Sequence, residues 1–261
     1  MTTTIRSADG TTIAFDAYGD GPPLILVGGA FQHRAIDSTT AGLAERLGAR
    51  FTVFHYDRRG RGDSTDTQPW AVEREVEDLA ALVAHAGGEV QAYGMSSGGG
   101  LVLEAAGRGV PLTRLAVYEP PVSTSGGDGA LAAELAALVA DGRHDDAVAR
   151  FLSEAGMDPA AIEGFKQAPI WPAFAGVAPT LVYDTTMMAD PGLVGDRAAR
   201  VTAPLLVIDG GDSPAWAREA AEAVAGAARD ARRHTIPGQT HEVSTDALAP
   251  VLEDWFLGRQ S

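Results

Sequence analysis

The sequence predicts an α/β protein built on a mostly parallel, doubly wound sheet. Three observations lead to this fold class. Short runs without a regular polar face recur along the chain and are typical of strands buried on both sides. Segments of helical periodicity lie between these runs, so strands and helices alternate. A polar–apolar alternation precedes them all and indicates an antiparallel hairpin in front of the parallel strands.

The hairpin is predicted at residues 3–18, where Asp9-Gly10 supplies the turn. Six further strands follow, each bounded by turn residues or by a helical segment. They are predicted at Leu24–Val27, Phe51–Phe54, Val90–Tyr93, Leu115–Tyr118, Leu205–Ile208 and Arg233–Ile236.

Helices are predicted where apolar residues recur with a period near 3.6. In the regions that alternate with strands, they lie at Trp70–Ala86, Leu101–Ala106, Trp216–Ala228 and Ala247–Leu257. Each follows a predicted strand, and this alternation is typical of βαβ units.

Residues 122–200 break the alternation directly after the sixth strand. Three helices are predicted there, at Ala130–Ala140, Asp145–Ala155 and Pro159–Gln167, followed by a looser segment. The run Ser123–Gly129 reads as a connector. We therefore expect residues 1–121 and 201–261 to form the core domain and residues 122–200 to form a helical insertion over the strand ends.

Composition excludes several classes of function. The chain has 261 residues and no cysteine, so disulfides, thiolate metal sites and cysteine nucleophiles are absent. Its formal net charge of −15 disfavours binding to nucleic acid or to an anionic membrane. The N-terminus has no signal peptide pattern and no apolar run could span a bilayer, which predicts a cytoplasmic protein.

The segment Gly94-Met95-Ser96-Ser97-Gly98 matches the G-x-S-x-G pattern. A predicted strand runs directly into it and a predicted helix leaves it, which is the setting of a nucleophile elbow. Glycine at both ends lets neighbouring backbone pass the turn closely. Ser96 is therefore the candidate nucleophile.

A serine hydroxyl needs a base, and His241 is the candidate. It lies in a loop after the last predicted strand, whereas the other five histidines lie in a helix, in a strand, in the insertion or after early strands. This placement gives the order serine, acid, histidine that is one of the common triad arrangements.

Three carboxylates compete for the role of triad acid. Asp212 follows the penultimate strand and is the first choice, although the turn that carries it is short. Glu119, at the end of the strand Leu115–Tyr118, is the second, and Asp209 is the third. The sequence leaves this choice open.

An oxyanion hole needs two preorganised N–H donors. One is expected from the backbone of Ser97, at the start of the helix after the elbow. The other is expected from the glycine-rich turn after Leu24–Val27, with Ala30 as the first candidate and Phe31 as the next.

With these residues, the chain resembles the α/β-hydrolase family over essentially its full length. The segment Tyr56–Ser64 is similar to the structural D-x-R-G-x-G-x-S turn of that family, and the inserted helices resemble its cap. The resemblance implies an α/β-hydrolase fold with a triad of Ser96, His241 and an acid. The usual His-Gly of the family is Gly28-Gly29 here. Relatives that use an aspartate in place of Ser96, such as epoxide hydrolases, are disfavoured.

The expected function is hydrolysis of a small carboxylic ester, lactone or thioester through an acyl-enzyme, without metal or cofactor. The alternatives are a non-hydrolytic protein of this fold, such as a perhydrolase or cyclase, or a small-ligand-binding protein. The insertion contains apolar residues that could wall a substrate pocket or form the insertion's own core: Trp171, Phe174, Tyr183, Met187 and Met188. The sequence predicts a small-molecule partner and leaves the oligomeric state open.

Overall fold

In the computed structural model, which describes residues 2–122 and 129–259, eight strands form one sheet. The strands are β1 (Thr3–Arg6), β2 (Thr12–Tyr18), β3 (Pro23–Val27), β4 (Thr52–Tyr56), β5 (Val90–Met95), β6 (Leu112–Tyr118), β7 (Leu205–Gly210) and β8 (Ala231–Ile236). Their order across the sheet is β1-β2-β4-β3-β5-β6-β7-β8.

The sheet is antiparallel at one edge and parallel elsewhere. β1 pairs with β2 and β2 with β4 in antiparallel fashion, whereas every pair from β4 to β8 is parallel. This confirms the predicted fold class and the hairpin at the N-terminus. The carboxyl ends of the parallel strands meet at one edge, where α/β proteins carry their sites.

Helices join and cover the strands. They are α1 (Ser38–Leu47), α2 (Val72–His85), α3 (Ser97–Gly107), α4 (Ala130–Ala140), α5 (His144–Glu154), α6 (Pro159–Phe165), α7 (Trp171–Gly176), α8 (Ala178–Ala189), α9 (Ala215–Ala227) and α10 (Thr245–Phe256), with a π-helical turn at Leu193–Ala198.

The helix predictions fail at two places. Helix α1 has no counterpart in them, because Thr39, Thr40 and Gly42 are poor helix formers and its start is fixed by the Asp37 side chain, which accepts from two helical N–H groups. The segment predicted as loose is helical, forming α7 and α8. Pro172 and Pro179 lie in the first turns of these helices, where proline is tolerated.

Alternate residues of each central strand pack on opposite faces of the sheet. In β3, Leu24 and Leu26 face the cluster formed with α1 and α10, whereas Ile25 and Val27 face the cluster formed with α2, α3 and α9. Burial on both faces explains why the predicted central strands lack a polar face, whereas β8, at the edge of the sheet, is polar and largely exposed.

The inserted helices follow the sixth strand, as predicted, and α4 to α8 share a third hydrophobic cluster. Phe31, from the loop after β3, packs into this cluster. The last part of the insertion belongs to the main core, since Met187, Met188 and Leu193 pack there. The domain boundaries at residues 122 and 200 stay a prediction. Of the predicted connector at residues 123–129, residues 123–128 lie outside the described part of the chain.

Candidate active site

Ser96 lies at the junction of β5 and α3, where the chain turns sharply from strand to helix. Its φ of 52° and ψ of −125° are a strained combination for a residue with a Cβ atom. The turn is held because the Ser96 N–H donates to the carbonyl of Tyr118 (2.9 Å), and the Ser96 carbonyl accepts from the Gly99 N–H (2.8 Å). The strand–turn–helix predicted around the candidate nucleophile is confirmed.

Gly94 and Gly98 allow this turn because no side chain fits at either position. A Cβ atom at Gly94 would lie 2.5 Å from the carbonyl oxygen of Gly98. One at Gly98 would lie 2.6 Å from the carbonyl oxygen of Gly28. Both contacts are with backbone, which cannot move aside without displacing a strand or a helix. The glycine requirement inferred from the pattern therefore has a direct steric cause.

Ser96, His241 and Glu119 form a continuous hydrogen-bonded chain. The Ser96 Oγ lies 3.2 Å from His241 Nε2, and His241 Nδ1 lies 2.7 Å from Glu119 Oε2. A carboxylate at Nδ1 favours the tautomer with the proton on that nitrogen, which leaves Nε2 free to accept from the serine hydroxyl. The His241 side chain is 36% exposed, whereas that of Glu119 is fully buried.

Glu119 follows β6 directly and is fixed by β7. Its N–H donates to the carbonyl of Ile208 (3.0 Å), and its Oε1 accepts from the N–H of Gly210 (2.7 Å). Burial raises the pKa of Glu119, but hydrogen bonds from His241 and from Gly210 outweigh it, so the pKa lies below its ordinary value. Glu119 is therefore ionised at neutral pH and can stabilise a protonated imidazole.

The loop that carries His241 is anchored by two hydrogen bonds to the residues directly before the histidine. The Tyr118 hydroxyl donates to the carbonyl of Thr240 (2.5 Å), directly before the histidine. The Asp212 N–H donates to the carbonyl of Gln239 (2.9 Å). Trp216, which is 39% exposed, has its ring centroid 5.4 Å from that of His241 in an edge-on arrangement. The imidazole is thus positioned by its neighbours and keeps one side open.

Asp212, the first choice for the acid, does not contact His241 in the described part of the chain, and neither does Asp209. The Asp212 side chain is exposed. Asp209 is buried and paired with Arg233 and Thr235. Register explains why Glu119 reaches His241: Tyr118 lies opposite Ile208, so Glu119 ends beside Gly210 at the sheet edge that His241 approaches.

The loop after β3 lies against the elbow. A Cβ atom at Gly29 would lie 2.9 Å from the Ser96 Cβ, so the peptide units that follow run close to the serine. Phe31 has a φ of 63°. Within residues 2–122 and 129–259, the N–H groups of Ala30, Phe31 and Ser97 have no protein acceptor. All three predicted donors are therefore free to bind an oxyanion, and their roles stay predictions.

A buried cluster of charges beneath this loop had been interpreted from the sequence only as a structural turn. Arg58 and Arg61 are each at most 2% exposed, and both bind Asp184 of α8, at 2.7 Å and 2.6 Å. Arg58 also pairs with Glu75 at 2.7 Å. The signal available in the sequence was the density of arginine in Asp57–Arg61, a segment next to a buried strand.

The residues predicted to wall a pocket lie in three different places. Trp171 and Phe174 belong to the cluster of α4 to α8, and Phe174 stacks on Phe31 with a centroid distance of 4.5 Å. The Trp171 Nε1–H donates to Asp145 at 2.7 Å. Phe174 thus connects to the loop beside Ser96, whereas Trp171 serves the core of the insertion.

The other three residues, Tyr183, Met187 and Met188, lie on α8 rather than on α7. Tyr183 stacks on Trp70 at 4.7 Å and lines a cavity of about 270 Å³. Met187 and Met188 pack in the main core, and Met187 borders a cavity of about 180 Å³. The residues lining these two cavities do not include the candidate nucleophile or base. The sequence leaves open whether these residues wall a pocket or form the insertion's own core, and the structure divides them between the cluster of the insertion, the main core and a cavity lined by Tyr183.

The part of the chain that the structure describes contains no group of three histidine or acidic side chains arranged to bind a metal ion. In the same residues, no helix is both long and apolar enough to cross a membrane.

The model of the alpha/beta hydrolase family matches residues 24–253. Together with the sheet order and the elbow, this match shows that the chain belongs to the alpha/beta hydrolase family.

Solved structures agree with this assignment. An alpha/beta hydrolase from Sphaerobacter thermophilus is 49% identical, with 97% of this chain and 100% of that chain covered and a TM-score of 0.88. A thermophilic esterase from Thermogutta terrifontis is 23% identical, with 99% and 98% covered and a TM-score of 0.73. The enol-lactonase from Burkholderia xenovorans is 18% identical, with 98% and 100% covered and a TM-score of 0.74. The last two similarities concern the fold alone.

Proposed function

We propose that the protein is a serine hydrolase that cleaves a small carboxylic ester, lactone or thioester through an acyl-enzyme on Ser96. The observation that carries this proposal is the chain of hydrogen bonds from Ser96 Oγ through His241 to Glu119. Ser96, His241 and Glu119 have the chemistry of a nucleophile, a base and an orienting acid. They occur in that order along the hydrogen-bonded chain, each within reach of the next.

In the first half of the reaction, His241 Nε2 accepts the proton of Ser96 as the Oγ attacks the substrate carbonyl carbon. The oxyanion that forms is bound by the N–H of Ser97 and by the N–H of Ala30 or Phe31. Glu119 stabilises the imidazolium and keeps its Nδ1 proton. The imidazolium then protonates the departing alkoxide or thiolate, which leaves the acyl group on Ser96.

In the second half, water takes the place of the leaving group. His241 accepts a proton from the water as its oxygen attacks the acyl carbon, and the same two N–H groups bind the second oxyanion. The proton then returns to Ser96 Oγ, and the carboxylic acid is released. No group other than water is consumed, so the proposal needs no cofactor. The His241 side chain is 36% exposed, which leaves the imidazole accessible to this water.

The test is labelling with a fluorophosphonate, followed by intact mass and peptide mapping. We expect a single adduct on Ser96 of the wild type, none on Ser96→Ala, and an adduct on the matched variant Ser97→Ala. Ester turnover should fall on the order of 10⁴-fold or more in Ser96→Ala. Absence of the adduct from folded wild type, or labelling of Ser96→Ala, would contradict the proposal.

A screen of esters, lactones and thioesters then assigns the substrate class. The esterase and the enol-lactonase that share this fold suggest which compounds to include first. An adduct on Ser96 without turnover of any of them would instead favour the ligand-binding or non-hydrolytic alternatives.

A further inference from the structure

Arg61 connects the helical insertion to the loop beside Ser96. Its Nη1 donates to the carbonyl of Gly29 at 2.5 Å, and its Nη2 donates to Asp184 at 2.6 Å. Its Nε donates to the Thr180 hydroxyl at 3.0 Å. Asp184 and Thr180 both lie on α8, in the insertion, whereas Gly29 lies in the core. A buried guanidinium thus bridges two regions separated by more than a hundred residues of sequence.

The carbonyl that Arg61 binds belongs to the peptide unit whose N–H is that of Ala30. This peptide bond is trans, and in a planar trans peptide the C=O and N–H point in opposite directions. Fixing the Gly29 carbonyl towards Arg61 therefore fixes the Ala30 N–H away from it. Since Gly29 lies against Ser96, this orientation controls a donor next to the nucleophile.

Arg58 makes a comparable contact with Ser97, the first residue of α3. Its Nη1 donates to the Ser97 Oγ at 3.2 Å and to Asp184 Oδ1 at 2.7 Å. Ser97 carries the second candidate N–H donor. The two oxygens of Asp184 therefore hold one arginine for each half of the candidate oxyanion hole.

We propose that Arg61, held by Asp184 and Thr180 of α8, is a positioning residue that sets the oxyanion hole by fixing the Gly29–Ala30 peptide. This inference rests on the proposed function, because it assigns the Ala30 N–H to the oxyanion. The Gln32 N–H of the same loop also donates to the Gly29 carbonyl, at 3.3 Å, so Arg61 adds a second, charged donor that is held by α8.

Arg59 offers a matched control in the same turn. It is as buried as Arg61 and pairs with Asp78 through two hydrogen bonds of 2.7 Å, but its contacts do not include the Gly28–Phe31 loop. Arg61→Lys and Arg59→Lys therefore perturb comparable buried ion pairs, and only the first alters support of the Gly29 carbonyl.

The experiment compares hydrolysis of 4-nitrophenyl acetate with that of its thiono analogue, in which sulfur replaces the carbonyl oxygen. N–H donors bind a developing oxyanion better than a developing thiolate, so an intact oxyanion hole gives a large rate ratio in favour of the oxygen ester. A displacement of 1 Å in such a site can cost about 10²-fold. For Arg61→Lys we expect kcat on the oxygen ester to fall about tenfold or more, with a smaller loss on the thiono ester. KM should change less than about threefold.

Arg59→Lys should keep the wild-type ratio, whatever its effect on the melting temperature. Equal ratios in Arg61→Lys and Arg59→Lys would overturn the inference, because both arginines would then be merely structural. Should Arg61→Lys fail to fold, Thr180→Val replaces it in the experiment. We expect its ratio of oxygen-ester to thiono-ester rates to lie below that of wild type. A ratio equal to that of wild type would overturn the inference. Failure of the proposed function is distinguishable, since wild type would then neither hydrolyse the ester nor be labelled on Ser96.

Discussion

Two buried carboxylates, Glu119 and Asp184, flank the elbow and differ in what they bind. Glu119 accepts from an imidazole that is 36% exposed and from one backbone N–H. Asp184 lies between two guanidinium groups that are almost completely buried. Burial raises the pKa of both carboxyls, but their partners outweigh it, and both pKa values lie below the ordinary range.

The difference between the two carboxylates lies in whether the partner can change its charge. An imidazole gains and loses a proton near neutral pH, whereas a guanidinium stays protonated in proteins. Glu119 therefore suits a site whose charge changes during a reaction, and Asp184 suits a site whose charges stay fixed. Loss of Glu119 should mainly affect turnover, whereas loss of Asp184 should lower stability and, through Arg61, turnover as well.

The largest expected effect is on turnover in Glu119→Gln. The amide oxygen can still accept from the Gly210 N–H, which turns the NH2 group towards His241 Nδ1. That nitrogen must then accept, so the proton moves to Nε2, which can no longer take the proton of Ser96. The same change of tautomer in a serine protease lowers kcat about 10⁴-fold, and we expect a loss of that order in ester hydrolysis.

Asp212→Asn is the matched control, because Asp212 was the first choice from the sequence and its carboxyl group is exposed. Turnover by this variant should stay within about twofold of wild type, the margin expected for a surface substitution of about 0.5 kcal/mol or less. A large loss in Asp212→Asn together with a small one in Glu119→Gln would reverse the assignment of the acid.

The sheet and the elbow could be predicted because their signals are local. Strands buried on both faces show as short apolar runs, and the strained serine turn needs glycine at fixed offsets. His241 was chosen as the candidate base for its place after the last strand, and its Nε2 lies 3.2 Å from Ser96 Oγ. Each of these inferences uses residues that are neighbours in sequence.

The choice among the three candidate acids and the arginine cluster could not be predicted because they depend on contacts between distant segments. Glu119 and Asp212 both follow strands, and the register of β6 against β7 decides which of them reaches His241. Asp184 lies in a segment that was predicted as loose, so a link from Arg61 to an ordered helix could not be anticipated.

The second prediction concerns stability in Asp184→Asn. Removing one partner of a buried ion pair leaves an uncompensated charge, and here Arg58 and Arg61 both lose a carboxylate. We expect the free energy of unfolding to fall by about 3–5 kcal/mol, measured by denaturant unfolding. The control is Glu134→Gln, which breaks a pair with Arg150 whose side chains are 32% and 50% exposed and should cost at most about 1 kcal/mol. If the free energy of unfolding falls by a similar amount in the two variants, the buried ion pairs of Asp184 stabilise the protein no more than an exposed pair does.

The smallest expected effect separates positioning of His241 from its chemistry. Tyr118→Phe removes the hydroxyl that donates to the Thr240 carbonyl, while the ring stays packed in the core. A hydrogen bond of this kind contributes about 1 kcal/mol, so we expect kcat to fall roughly fivefold, with an unchanged KM. The control is Tyr93→Phe, in the same hydrophobic cluster, whose hydroxyl makes only a long contact of 3.7 Å with the Met95 sulfur. If both variants lose the same activity, the histidine loop is held by packing rather than by the Tyr118 hydroxyl, and Glu119 orients the imidazole without that support.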